Sequence, residues 1–327
     1  MSSYAELHCL SCYSFLRGAS HPHELVERAA TLGYAALAIT DECSLAGVVK
    51  AHVAAKELGI KLIIGSELNL EEDIRLVALA PGRAAYSELS GLISMARRRS
   101  PKGEYRATLR DVIFHLKRCL LIWLPEHDDA ATRAWGLQLQ RLCKGRVWLG
   151  ASHLLGNDEI ARYTALHRLA GDVGLPMVAC GGVQMHTAAR KPLHDVFTAL
   201  RHNTSIDQLG RRRAGNSQRH LRSLDRLQKL YPSPLLEETR HIADLCDFTL
   251  DELRYEYPEE VVPKNHTATS HLRELVARGT LVRWPGGVPA EIQQRIEREL
   301  QLIEELEYEY YFLTVYDIVR FARERDI

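Results

Sequence analysis

What most limits this chain is an alternation of two kinds of segment. Short runs that are apolar on both faces lie at residues 35–40, 61–68, 74–80, 119–124, 146–152 and 177–181. A strand with no water-facing side belongs in a sheet covered on both faces. The cover comes from amphipathic stretches between most of these runs. One passes through Leu45, Val48, Val49, Val53 and Leu58 and stops at Gly59. A second passes through Ile160, Tyr163, Leu166, Leu169 and Val173, with Asn157 or Asp158 as N-cap and Gly174 as stop. A third begins near Pro192 and includes Val196, Phe197 and Leu200. Repeated βα units imply parallel strands, and both a barrel and a doubly wound sheet satisfy the pattern.

The alternation stops near residue 203. Residues 203–216 are polar, centred on Arg211, Arg212 and Arg213, and read as a loop. Helices follow near 221–230 and 234–246. Residues 255–263 carry Pro258 and Pro263 without a helical period and read as an extended connection. The domain boundary is placed there, giving a first domain over 1–263, with its strand-bearing part at about 1–203 and a helical extension at about 216–250. A second portion over 264–327 holds helices at 269–278, 290–305 and 315–323. Its apolar positions, among them Ile292, Ile296, Leu300, Ile303, Phe312, Val315 and Val319, call for burial against other parts of a larger protein. By itself this tail is expected to be loosely ordered and to promote self-association.

Composition excludes several classes. Among 327 residues, 46% are hydrophobic and 26% charged, the balance of a globular protein rather than a disordered or collagenous one. Forty-two basic and 42 acidic side chains cancel, so no global field draws the chain to a polyanion; such contacts must be local. Seven cysteines without paired Cys-x-x-Cys spacing indicate reduced thiols and a cytoplasmic setting. The N-terminal residues lack the basic start and apolar run of a signal peptide, and no apolar window reaches membrane-spanning length.

In α/β folds the chemistry gathers at the C-terminal ends of strands. His8, the pair Asp41 and Glu42, and Glu67 fall at such ends. Imidazole and carboxylates converging there form a ligand set for zinc or manganese; each also reads as a strand-end group hydrogen-bonded to a loop. His21, His23, His52, His115, His127, His153 and His167 have no partner at ligand spacing. Arg97, Arg98 and Arg99 with Lys102, and Arg211 to Arg213 with Arg219 and Arg222, could meet phosphates, although a charge run is usually a solvated face.

The order of these pieces resembles a known family. His8-Cys9-Leu10-Ser11, Ile39-Thr40-Asp41-Glu42-Cys43-Ser44 and Gly65-Ser66-Glu67 resemble the opening motifs of a PHP (polymerase and histidinol phosphatase) domain, and residues 178–186 resemble its last metal-binding motif. Residues 14–20, 39–49, 250–258 and 311–322 are similar to the error-prone, ImuC-type bacterial C-family DNA polymerases. The resemblance implies a distorted (β/α)7 barrel followed by the first helices of a polymerase palm region. It implies an enzyme that copies DNA from dNTPs with Mg, acts in damage-induced mutagenesis and translesion synthesis, and meets a sliding clamp and mutasome accessory proteins. By the same resemblance the palm aspartates lie beyond Ile327.

The departures from the family pattern matter as much. Where active PHP phosphoesterases carry His-x-His, Asp-His and Asp-x-His, this chain has Leu10, Glu42, Gly182 and Gln184 at the variable positions. Leucine and glycine offer a metal no donor atom, and the glutamine amide is a poor one. His186 and His194 lie near the last motif in a register the family does not use for metal. The expectation is a vestigial cleft at His8, Asp41, Glu42 and Glu67 that holds no multi-metal cluster and performs no hydrolysis. Residues 216–222 resemble a polymerase segment, which makes Arg211, Arg212, Arg213, Arg219 and Arg222 candidate DNA-backbone contacts. A metal-dependent PHP phosphoesterase and a mutasome interaction module are the alternatives.

Overall fold

The computed structural model describes residues 4–156, 158–253 and 261–327. Asn157, one of two candidate N-caps, and residues 254–260, most of the expected connection, lie outside these. The chain divides into two compact units, Met1–Leu253 and Arg254–Ile327.

The first unit is built on one seven-stranded sheet in chain order: β1 (Ala5–Glu6), β2 (Ala36–Ile39), β3 (Lys61–Asn69), β4 (Arg75–Leu79), β5 (Leu120–Trp123), β6 (Val147–Ala151) and β7 (Met177–Ala179). Helices α1 (Pro22–Thr31), α2 (Val48–Leu58), α3 (Arg83–Arg98), α4 (Leu109–His115), α5 (Ala130–Leu142), α6 (Glu159–Val173) and α7 (Lys191–Arg201) alternate with the strands or follow them. The short helix α8 (Leu224–Leu230) precedes α9 (Ser233–Asp244). Gly59 and Gly174 end α2 and α6 in the left-handed conformation, as their sequence positions predict. The α2 helix itself begins at Val48, because the preceding residues form the turn that follows Asp41 and Glu42.

Strand direction corrects the all-parallel expectation. β1, β2 and β3 are mutually parallel, as are β5, β6 and β7, but β4 is antiparallel to both β3 and β5. Residues 70–74 join β3 to β4, and a parallel return needs a crossover of a dozen or more residues. The consequence is positional. Arg75, the first residue of β4, pairs with Asn69, the last of β3, so it sits at the end where the parallel strands finish.

The sheet curls until its two ends meet. Just beyond β1 and β7, Cys9 bridges Val183 in parallel, with Leu10 N–H to Val183 O at 2.8 Å and Val183 N–H to His8 O at 3.0 Å. Ala5, Ala38, Ile63, Val77, Ile122, Trp148 and Val178 share one buried cluster with Ile242, Ala243 and Cys246, from α9 and the residues just after it. Thr239 of α9 accepts a hydrogen bond from the Ala5 amide, fixing the helix beside β1. Two further clusters fill the space between strands and outer helices.

The second unit contains α10 (Ala268–Arg283), α11 (Ala290–Glu305) and α12 (Glu309–Arg323). Leu272, Leu300 and Leu313 form a small core there, flanked by Val276, Ile296 and Ile303. In place of a loosely ordered tail there are three helices with a core of their own; Phe312, Val315, Ile318, Val319 and Phe321 remain exposed. Among the described residues no helix is long and apolar enough to cross a membrane.

Candidate functional site

Of the groups the sequence singles out, His8 follows β1, Asp41 and Glu42 form the turn after β2, and Glu67 lies on β3; the loop of residues 11–18 packs against them. Asp41 is buried and consumed by that loop. Its Oδ1 accepts from the Ser11 amide at 2.7 Å and from Ser14 Oγ at 2.7 Å, and its Oδ2 accepts from Ser11 Oγ at 2.7 Å. Burial pushes the carboxyl upward, and the serine hydrogen bonds pull it back without cancelling the rise. Asp41 is a clamp on the loop, with both oxygens occupied.

The clamp delivers Arg17. Its Nη1 lies 2.6 Å from Glu42 Oε2 and 2.6 Å from Glu67 Oε1. His8 Nε2 lies 2.6 Å from the other Glu67 oxygen. Asn69 Nδ2 donates to Glu42 at 2.7 Å and Tyr105 Oη donates to the same oxygen at 3.1 Å. Burial raises Glu67, but the His8 hydrogen bond and Arg17 outweigh it and hold the carboxyl well below the ordinary value. An ionised carboxylate is only an acceptor, so His8 donates from Nε2. Glu42 is likewise held low, chiefly by Arg17 against its burial. Burial alone would lower Arg17, yet Glu67 and Glu42 raise it, so it stays charged. The two residues flanking this network carry positive φ without being glycine, Leu16 at 58° and Cys43 at 43°. Such conformations persist where their surroundings over-determine them.

This donor set does not fit a metal cluster. One oxygen of each of Glu42 and Glu67 already faces the Arg17 guanidinium, which would repel a divalent ion beside it, and the others are taken by Asn69, Tyr105 and His8. Gln184 turns its Oε1 to His194 Nε2 at 2.7 Å. Among the described residues, the one group of His, Cys, Asp or Glu whose ligand atoms lie within 4.8 Å of one another is His266, His271 and Glu274, outside the cleft. Arg17 lies in the family-like stretch 14–20, but the sequence alone gives it no role; it meets its partners only through the fold.

The basic residues separate into three groups. Arg211 and Arg212 are exposed, and Arg213 Nε bonds Asp195 Oδ2 at 2.9 Å. Arg222 leaves the candidate set: it is 3% exposed, with Nη1 on the His153 carbonyl at 2.7 Å. Arg219 turns into a cavity of about 280 Å³ at the strand ends, lined also by His8, Arg75, His127, Arg162 and Gly182. Arg97 is likewise structural, since it donates to the carbonyls of Glu42 and Cys43.

Residues 6–128 match the family described as PHP domain, and residues 270–327 match the Bacterial DNA polymerase III alpha NTPase domain. The error-prone DNA polymerase of Saccharophagus degradans is 52% identical over 324 residues, covering 99% of this chain and 32% of that protein. The error-prone DNA polymerase of Teredinibacter turnerae is 53% identical over 325 residues, covering 99% of this chain and 31% of that protein. The chain therefore spans about a third of the length of these curated relatives. Among solved structures, an amidohydrolase from Chromobacterium violaceum aligns with TM-score 0.44 and 16% identity, over 56% of this chain and 88% of that one.

Proposed function

We propose that this chain, a PHP domain joined to a polymerase III alpha segment, is the N-terminal part of an error-prone DNA-directed DNA polymerase that acts in damage-induced mutagenesis. In this reading residues 1–263 form the PHP domain and 264–327 open the polymerase portion. The observation that carries the polymerase reading is half-identity along 99% of the chain to proteins of that name. DNA and dNTPs are then the substrates of the whole enzyme, with a divalent ion such as Mg in its palm and the cytoplasm as its setting. A sliding clamp and mutasome accessory proteins are its proposed partners.

The PHP unit is proposed as a catalytically silent support. Hydrolysis of a phosphate ester by a metal cluster needs several anionic or imidazole donors free to hold the ions and an activated water. Here Asp41 serves the 11–18 loop, Glu42 and Glu67 serve Arg17, and Leu10, Gly182 and Gln184 stand where further donors would be required. The cluster instead ties the ends of β1, β2 and β3 to that loop. The test pairs two assays. The full polymerase should extend a primed template with Mg, whereas this chain, supplied with Mn or Zn, should release no alcohol from a chromogenic phosphate ester above the buffer rate. Turnover that disappears in Glu67→Gln would replace this reading by the phosphoesterase one.

A further inference from the structure

The cavity beside the Arg17 network has a charge arrangement that the proposed function does not use. Three guanidinium groups from separate elements line it: Arg75 opens β4, Arg162 lies on α6, and Arg219 lies in the segment before α8. The antiparallel direction of β4 is what brings Arg75 to this end of the sheet. Two of the three have donors without acceptors. Arg75 pairs through Nη2 with Glu126 at 3.0 Å, but its buried Nε has no partner. Arg219 forms no ion pair among the described residues; its guanidinium meets the Gly182 carbonyl through Nη1 at 3.5 Å. Arg162 is better supplied, with the Ser152 carbonyl at 2.9 Å and Glu159 at 3.9 Å.

A guanidinium donor set back from water favours an acceptor, because desolvation without a partner is costly; Arg75 Nε is buried without one, and Arg219 is half-buried. Here burial, together with Arg75, Arg17 and Arg162, pushes Arg219 down to about 10, while Glu67 opposes the shift too weakly to reverse it. The surrounding potential is thus positive although the chain is neutral. The carboxylates at this end are engaged: Glu67 and Glu42 by Arg17, Glu126 by Arg75, and Glu159 by His153 and Arg162. The groups left over are donors, and several donors around a compact cavity match a tetrahedral oxyanion.

We propose that the cavity bounded by Arg75, Arg162, Arg219 and Gly182 is a binding site for a phosphate group, held by guanidinium donors without a metal ion. It binds and does not cleave. The phosphate comes either from a small anion, orthophosphate or pyrophosphate, or from the 5′ end of a DNA strand. The proposal does not depend on the polymerase reading, and phosphate binding can fail while primer extension succeeds.

Calorimetric titration of the whole chain, in EDTA and at constant ionic strength, distinguishes the two sources. The probes are orthophosphate, pyrophosphate and a short oligothymidylate with or without a 5′ phosphate. Expected is saturable binding of at least one phosphate probe, weakened about tenfold or more by Arg219→Gln and by Arg75→Gln. Arg141→Ala, an exposed residue in the last turn of α5 outside the cavity lining, should leave it unchanged. Because Arg75 and Arg219 lie on separate elements, the Arg75→Gln variant decides the matter where Arg219→Gln does not fold. A preference for the free anions, or for the 5′-phosphorylated oligomer over its unphosphorylated form, assigns the source and supports the site. No saturable binding of any phosphate probe, or binding weakened as much by Arg141→Ala as by Arg75→Gln, overturns it.

Discussion

Arg17 Nη1 lies 2.6 Å from Oε1 of Glu67, a carboxylate with no solvent exposure. That contact places a side-chain cation beside the carboxylates a metal would otherwise need. Removing one partner of a buried ion pair leaves the other charge stranded, at a cost of about 3–5 kcal/mol. Arg17→Met should therefore lower stability by roughly that amount in urea unfolding. Adding Glu42→Gln and Glu67→Gln to it should recover a large part of the loss, because the stranded charges go with it. A triple variant no more stable than Arg17→Met would show that Arg17 acts through packing alone.

The same pair sets the acid limb of stability. Glu67 and Glu42 both have carboxyls held below their ordinary value of 4.5 in the folded state. Below that value the unfolded chain takes up protons first, so the contribution is complete above about pH 4.5 and declines as pH falls towards the folded values. Glu6 and Asp41 work in the opposite sense, because burial raises both and the folded state then binds the extra proton. The prediction is thus comparative. Glu67→Gln should flatten the fall in stability below pH 4.5, measured by urea midpoints across pH, while Asp41→Asn should leave that limb at least as steep.

The strands were legible because runs apolar on both faces admit few placements, and β2, β3, β5 and β6 fall within a residue or so of their expected bounds. Strand direction was harder to read. Composition at 74–80 is the same for either direction, and only the short 70–74 link, with Glu71, Glu72 and Asp73, carried the information. His8, Glu42 and Glu67 were identifiable as strand-end groups, and the fold does gather them. What could not be read is the residue that joins them. Arg17 is 25 positions from Glu42 and 50 from Glu67, and no local pattern links an arginine in a loop to two distant carboxylates. Arg75 and Arg162 escaped for the same reason: each looks like an ordinary surface cation on its own element.

The loop that presents Arg17 depends on a backbone approach only glycine allows. A Cβ on Gly18 would lie 2.0 Å from the Ser11 carbonyl oxygen, and neither backbone can yield without breaking the turn. Gly18→Ala should cost several kcal/mol, at the upper end of single-residue effects. Hydrogen exchange should quicken at the Ser14, Arg17 and Gly18 amides, each of which donates within this turn. An alanine variant with unchanged protection at these amides would mean that the loop is held from elsewhere.

Exposed and buried arginines should separate cleanly when nucleic acid is the probe. Each lysine or arginine that neutralises one phosphate contributes about one unit to the slope of log affinity against log salt. Arg211 and Arg212 are exposed, so Arg211→Ala with Arg212→Ala should lower that slope by about two and leave the unfolding midpoint within experimental error. Arg222 is the converse. Truncating it removes the donor to the His153 carbonyl and the stacking partner of Tyr231, so Arg222→Ala should destabilise by about 1–3 kcal/mol without changing the salt slope. If Arg222→Ala altered the slope in a protein that remained fully folded, this arginine would have to swing outward to DNA, and its assignment to the core would fail.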